Sequence, residues 1–107
     1  MRIKDAKYKS EQEDIIQNII NILELDDEKS ITLYQLDKDV DKQKKIIDLM
    51  PDIRKYFSYV VIKGVQRQYL SIIRQVVKRC YNMYSIDFKT TIDNKTIRTK
   101  KYIFVRK

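Results

Sequence analysis

The 107-residue chain has no histidine, no tryptophan, and one each of cysteine, glycine and proline. Each absence closes a class of chemistry. A lone Cys80 forms no internal disulfide, and without histidine no familiar zinc set can be assembled. Nucleophilic catalysis by Ser–His or Cys–His lacks its imidazole base. A single Gly64 cannot build the phosphate loop GxxxxGK. No run approaches the roughly 20 apolar residues of a membrane span. The N-terminus MRIKDAKYKS carries charge with no apolar run behind it, so it does not read as a signal peptide. The expectation is an intracellular protein of the reducing cytoplasm or nucleus, with no cofactor, no metal and no membrane partner.

Acids are also scarce, but only in one half. Residues 1–52 hold 13 Asp/Glu and 9 Lys/Arg, a net of −4. Residues 53–107 hold 14 Lys/Arg and just Asp87 and Asp93, a net of +12, which brings the chain to +8. Segregated like charges repel one another, and a polyanion rewards them through counterion release. Nucleic acid is the simplest such partner; the alternative is a basic face that is merely solvated. Hydrophobic residues make up 43%, enough for a packed core in a chain too short for two domains.

Residues 1–9 are polar and mixed in charge and read as a flexible arm before a single domain over 10–107. Ser10 and Glu13 form a capping-box pattern. Behind them Ile15, Ile16, Ile19, Ile20, Ile22 and Leu23 recur at helical spacing, which predicts a first helix over 11–25. Ser30-Ile31-Thr32 favours a short strand, and Thr32 with Gln35 forms a second capping box. Leu33, Leu36 and Val40 predict a short helix, continuing through Ile46, Ile47, Leu49 and Met50 after a kink near Asp41. Pro51 suits a helix restart running to Phe57. Tyr59–Ile62 favours a strand, and Gly64 a turn.

Over 67–84 the helical period is clearest. Tyr69, Leu70, Ile72, Ile73, Val76, Val77, Cys80, Tyr81, Met83 and Tyr84 share one arc at 100° per residue. Arg67, Gln68, Ser71, Arg74, Gln75, Lys78, Arg79 and Asn82 fill the rest, with no acid among them. Residues 85–92 then alternate, Asp93-Asn94-Lys95 supplies turn chemistry, and Thr96–Val105 alternates again. This is a hairpin with a basic tip.

The order helix, short strand, helices, then a two-stranded ribbon resembles the winged helix-turn-helix DNA-binding domains. The resemblance covers roughly residues 10–107 and rests on element order. The segments DIRKYFSY, LSIIRQVVK and IRTKKYIFV are also similar to uncharacterised proteins of large DNA viruses. The resemblance implies an α+β fold, a bundle of three or more helices with a C-terminal β-hairpin wing. It implies that the last helix enters the major groove of duplex DNA. Arg67, Ser71, Arg74, Gln75 and Lys78, with Arg79 beyond, would then face base edges and phosphates. Lys89, Lys95, Arg98 and Lys100 on the wing would follow the backbone. The chain departs from the pattern in a long acidic second helical region and an extra VVIKGV segment before the last helix.

Other readings are open at this level. Asp37-x-Asp39-x-Asp41 has the opening spacing of a calcium loop, but Lys42 stands where glycine is required and Asp48 where a bidentate Glu belongs. Pro51-Asp52 with Asp87-Phe88-Lys89 spells the loose PD…(D/E)xK pattern of metal-dependent nucleases, although a strong helix separates the two parts. Tyr56, Phe57, Tyr59, Tyr69, Tyr81, Tyr84, Tyr102 and Phe104 could stack on unpaired bases, yet most sit at core spacing. Cys80 lies on the apolar arc and reads as a small hydrophobe. Helix 11–25 could pair with a second copy, and winged-helix folds also serve as protein-interaction adaptors. The leading expectation is a non-enzymatic binder of duplex DNA.

Overall fold

The computed structural model describes residues 3–64 and 66–107. Its elements are α1 (Ile3–Leu23), β1 (Ser30–Thr32), α2 (Leu33–Lys38), α3 (Val40–Ile47), α4 (Met50–Tyr56), α5 (Gln68–Val76), a 3-10 turn (Val77–Arg79), β2 (Tyr81–Ile92) and β3 (Lys95–Arg106). The fold is α+β, with an antiparallel sheet in the order β1-β3-β2.

The chain is already helical from Ile3, so the arm expected over 1–9 is, from its third residue on, part of α1. Met1 and Arg2 lie outside the described residues. Nothing between Ala6 and Ser10 breaks a helix, and the Tyr8 ring packs edge-on against Tyr56 with centroids 5.4 Å apart. Ser10 is therefore an interior residue, not a cap. The helix stops at Leu23, where Glu24 takes the left-handed φ of 49°. Ile15, Ile16, Ile19 and Leu23 are buried in the core. The isoleucine stripe packs into the chain's own core, with Ile20 and Ile22 partly buried at its margin.

Asp26 organises the return from α1 into the sheet. Its carboxylate accepts from the Glu28 and Ser30 amides, both at 3.0 Å, and from the buried Ser30 hydroxyl at 2.8 Å. These bonds, led by the Ser30 hydroxyl, lower its pKa. Ser30, Ile31 and Thr32 then pair with Ile103, Tyr102 and Lys101. The Thr32–Gln35 capping box forms as the spacing predicts and opens α2.

The break after α2 falls at Asp39, which caps α3 through the Lys42 amide at 3.0 Å. That break rotates Val40 out of the apolar stripe and leaves it 69% exposed. Pro51 sits in the first turn of α4. The β-favouring run Tyr59–Ile62 forms no strand, because a side chain does a strand's work there. The Gln75 amide donates to the Val61 carbonyl at 2.7 Å and accepts from the Val61 amide at 2.9 Å. Val65, the last residue of the VVIKGV segment, lies outside the described residues.

The helix expected over 67–84 ends at Val76, with three 3-10 residues beyond it. Tyr81–Tyr84 open β2 instead, and the hairpin begins at 81, not 85. The alternation Tyr81-Asn82-Met83-Tyr84 satisfies both periods. Pairing decides between them, since Tyr81, Met83 and Tyr84 stand opposite Arg106, Phe104 and Ile103. Asp93 and Asn94, both at positive φ, form the two-residue turn between the paired Ile92 and Lys95. Positive φ at both positions is the type I′ geometry that matches strand twist. Fully buried Ile19, Leu36, Ile46, Ile53, Ile72 and Val76 tie the helices together under Tyr102 and Phe104 of the sheet.

Candidate nucleic-acid interface

Alternation along the hairpin sorts its side chains into two faces. Asp87 and Lys89 and their partners Lys100 and Arg98 share the face of Met83, Ser85, Tyr102 and Phe104. Near the base that face is core, with Tyr102 and Phe104 buried. Toward the tip the ribbon outruns the core, and the same face turns to charge. Lys95 pairs with Ile92 and belongs to the opposite face, so the register separates it from the other wing cations.

Three grooves lie along this surface and share walls. The largest, about 890 Å³, is bounded by Leu33, Tyr34, Asp37 and Lys38 of α2, by Arg67, and by Asp87, Phe88, Lys89, Arg98, Thr99 and Lys100 of the hairpin. A second, about 590 Å³, shares Leu33, Arg67 and Lys100 and adds Ser71, Arg74 and Tyr102. A third, about 390 Å³, shares Arg74 and Tyr102 and adds Lys78, Tyr81 and Lys107. A continuous strip therefore carries Lys89, Arg98, Lys100, Arg74, Lys78 and Lys107.

The individual side chains differ in how free they are. Lys100 donates to Asp87 at 2.5 Å, and this bond lowers the Asp87 pKa while raising that of the ammonium. The Asp87 side chain is 90% exposed, so the pair is a weak surface contact. Lys89 and Arg98 stand directly opposite each other, and neither joins an ion pair among the described residues. Like charges at opposed positions destabilise a hairpin. Arg74 donates to the Tyr102 hydroxyl at 3.1 Å, its guanidinium 5.6 Å from that ring, and stays exposed. Lys78 is exposed as well, 5.8 Å from the Tyr59 ring.

Four expected contacts are occupied elsewhere. Arg67 forks onto Asp37 through Nε at 3.2 Å and Nη2 at 2.9 Å, so its charge is answered by an acid of the first half. The Tyr69 hydroxyl donates to the same carboxylate; burial, then this bond, pushes its pKa up to about 12. Gln75 is engaged with Val61, and also donates to the Ser71 hydroxyl at 2.9 Å. The Gln75 amide is thus engaged within the chain, while the Ser71 oxygen accepts from it. Arg79 turns toward α1 and donates to Gln12 at 3.1 Å, away from the strip. These residues satisfied the helical wheel, but Tyr59 and Val61 cover the Gln75 flank of α5 and Asp37 holds Arg67 at its start.

Lys38, Lys107, Tyr34 and Phe88 belong to the strip and were not singled out by spacing. The one signal in the sequence was the Thr32 cap, which starts α2 directly after β1. Only the β1–β3 pairing then reveals that α2 lies against the hairpin; the Tyr34 amide reaches Thr99 Oγ1 at 3.0 Å.

The acidic motifs take ordinary structural places. Asp37 holds Arg67, Asp39 caps α3, and Asp41 lies in its first turn. Asp52 stands in the first turn of α4 and Asp87 on β2, not on neighbouring strands. Among the described residues no group of three or more His, Cys, Asp or Glu gathers as a metal site. No described helix is long and apolar enough to cross a membrane. The chain matches no family model, no curated protein and no solved structure.

Proposed function

We propose that this chain is a non-enzymatic nucleic-acid-binding domain of winged-helix type, with duplex DNA as its ligand. The supporting observation is the shared strip, in which Arg74 of α5, Lys78 of the turn after it, and Lys89 and Arg98 of the hairpin, none in an ion pair among the described residues, border connected grooves. The element order and the sheet order β1-β3-β2 agree with this reading, α5 standing in the place of the last helix and β2–β3 in that of the wing.

The binding mode differs from base reading by a fully exposed helix. The covered flank of α5 leaves Arg74 and Lys78 to meet phosphates, with Lys89 and Arg98 following the backbone along the ribbon. Affinity is electrostatic, and each phosphate contact contributes about −0.9 to the slope of log K against log salt. Phosphate contacts position a protein and carry no direct sequence information.

A second reading has one observation in its favour. Tyr34 and Phe88 border the largest groove among its cations, a combination that suits an unpaired base over a charged track. Fluorescence anisotropy against matched duplex DNA, single-stranded DNA and duplex RNA at two salt concentrations separates the two. Tightest binding to duplex DNA, with strong salt dependence, supports the main proposal. Preference for the single strand, lost in Phe88→Ala, supports the second. No binding to any of the three at low salt removes both.

A further inference from the structure

The sheet has a long edge that no strand of this chain pairs among the described residues. The order β1-β3-β2 leaves β2 outermost, and its twelve residues run in unbroken register against β3 with no bulge and no proline. Natural edges are normally shortened, bulged or covered, because unpaired backbone groups recruit another strand.

The turn determines which groups are free. A hydrogen-bonded β-turn joins the Lys95 amide to the Ile92 carbonyl. Hydrogen-bonded pairs then alternate down the ladder, so the even-numbered residues of β2 face β3. The bond from the Lys107 amide to the Cys80 carbonyl at 2.9 Å falls on the same parity. Tyr81, Met83, Ser85, Asp87, Lys89 and Thr91 therefore present their backbone groups to the open edge.

An antiparallel second copy must pair odd residues with odd. Centring the two-fold axis on Asp87 or Lys89 opposes like charges. Centring it on Phe88 sets Asp87 opposite Lys89 of the second copy, and symmetry repeats the pair. The same register carries the second copy's turn past Tyr81–Met83. Its Asp93 then stands opposite Met83, beside the groove bordered by Arg74, Lys78 and Lys107. Both acids of the basic half meet cations, so the charge order of β2 reads as its own complement. On the outer face, exposed Tyr84 comes beside Ile92 of the second copy and exposed Ile86 beside its Thr90.

We propose that β2 pairs antiparallel with β2 of a second copy about an axis through Phe88, giving a continuous six-stranded sheet. This inference does not depend on nucleic-acid binding and is tested without it.

Sedimentation equilibrium of the nucleic-acid-free protein gives a reversible dimer. Ser85→Pro removes only an outward amide, so it yields a monomer with unchanged circular dichroism. Lys89→Asp puts an acid opposite Arg98 within the chain but opposite Asp87 of the second copy. It keeps the fold and weakens association on the order of tenfold, and the swap Asp87→Lys with Lys89→Asp restores it. The Phe88 pair is of the non-hydrogen-bonded kind, with Cα atoms about 4.5 Å apart, within disulfide reach. In a Cys80→Ser background Phe88→Cys therefore cross-links on oxidation and Ile86→Cys does not. A monomer at every concentration up to about millimolar overturns the proposal. So does a dimer indifferent to Ser85→Pro, or cross-linking at 86 in place of 88.

Discussion

Lys89 and Arg98 face each other across the β2–β3 ladder, a like-charge pair that joins no ion pair within the chain among the described residues. For the fold alone the pair is a liability. Arg98→Thr therefore leaves Tm unchanged or slightly raised. In the same variant nucleic-acid affinity falls, and the salt slope flattens by about one unit. Thermal unfolding and a salt series on one preparation read both effects. A lowered Tm with unchanged affinity would assign Arg98 to the fold.

Gln75 behaves in the opposite way. Its amide holds both backbone groups of Val61, and the Tyr59 hydroxyl donates to its carbonyl at 3.2 Å. Gln75→Ala removes the two bonds to Val61, whose groups then turn to water, leaves the Tyr59 bond to the backbone carbonyl in place, and costs about 0.5–1.5 kcal/mol. Once protein stability is allowed for, the salt slope of binding stays where it was. Denaturant unfolding measures the first quantity and anisotropy the second.

These two residues show what the sequence reveals and what it hides. Arg98 and Gln75 both lie on polar positions of a periodic pattern, and period alone gives them equal standing. The hairpin keeps its promise, because a cross-strand register follows from the Asp93-Asn94 turn. The α5 face does not, because what covers a helix is a tertiary fact. Arg67 meets Asp37 thirty residues away, and no local pattern carries that meeting. The helix boundary at Val76 fails for a related reason. Tyr81–Tyr84 fit both periods until β3 pairs with them. The capping box at Thr32 and the restart at Pro51 were legible because their causes lie within a few residues.

The turn after α1 makes a pH prediction. Asp26 has a lowered pKa, held chiefly by the Ser30 hydroxyl, so the unfolded chain takes up the proton first. Its contribution is complete above the ordinary carboxylate value near 3.8 and is lost as pH falls through the lowered folded value. Asp26→Ala strands the buried Ser30 hydroxyl, costs about 1–2 kcal/mol at neutral pH, and shallows the acid side of the stability profile. Denaturant midpoints of both proteins between pH 2 and 7 check this, as an order-of-magnitude range around the carboxylate titration.

Tyr69 makes the alkaline counterpart. Its folded pKa, about 12, lies above the ordinary 10, so its contribution is present below 10 and lost as pH rises through 12. Tyrosinate absorbance shows late-ionising phenols, since burial raises the Tyr59 hydroxyl too, and one of them vanishes in Tyr69→Phe. Asp37→Asn moves that ionisation downward and releases Arg67 to solvent.

The most direct test of the cationic strip compares two sets of equal charge. One variant neutralises Arg74, Lys78, Lys89 and Arg98 to glutamine; the other neutralises the exposed Lys44, Lys45, Arg54 and Lys55 on α3 and α4. Both lower the net charge by the same amount. Salt-dependent anisotropy with duplex DNA should show the first losing most of its salt slope and the second keeping it. Equal losses in the two variants would mean that bulk charge, and not this surface, holds the nucleic acid.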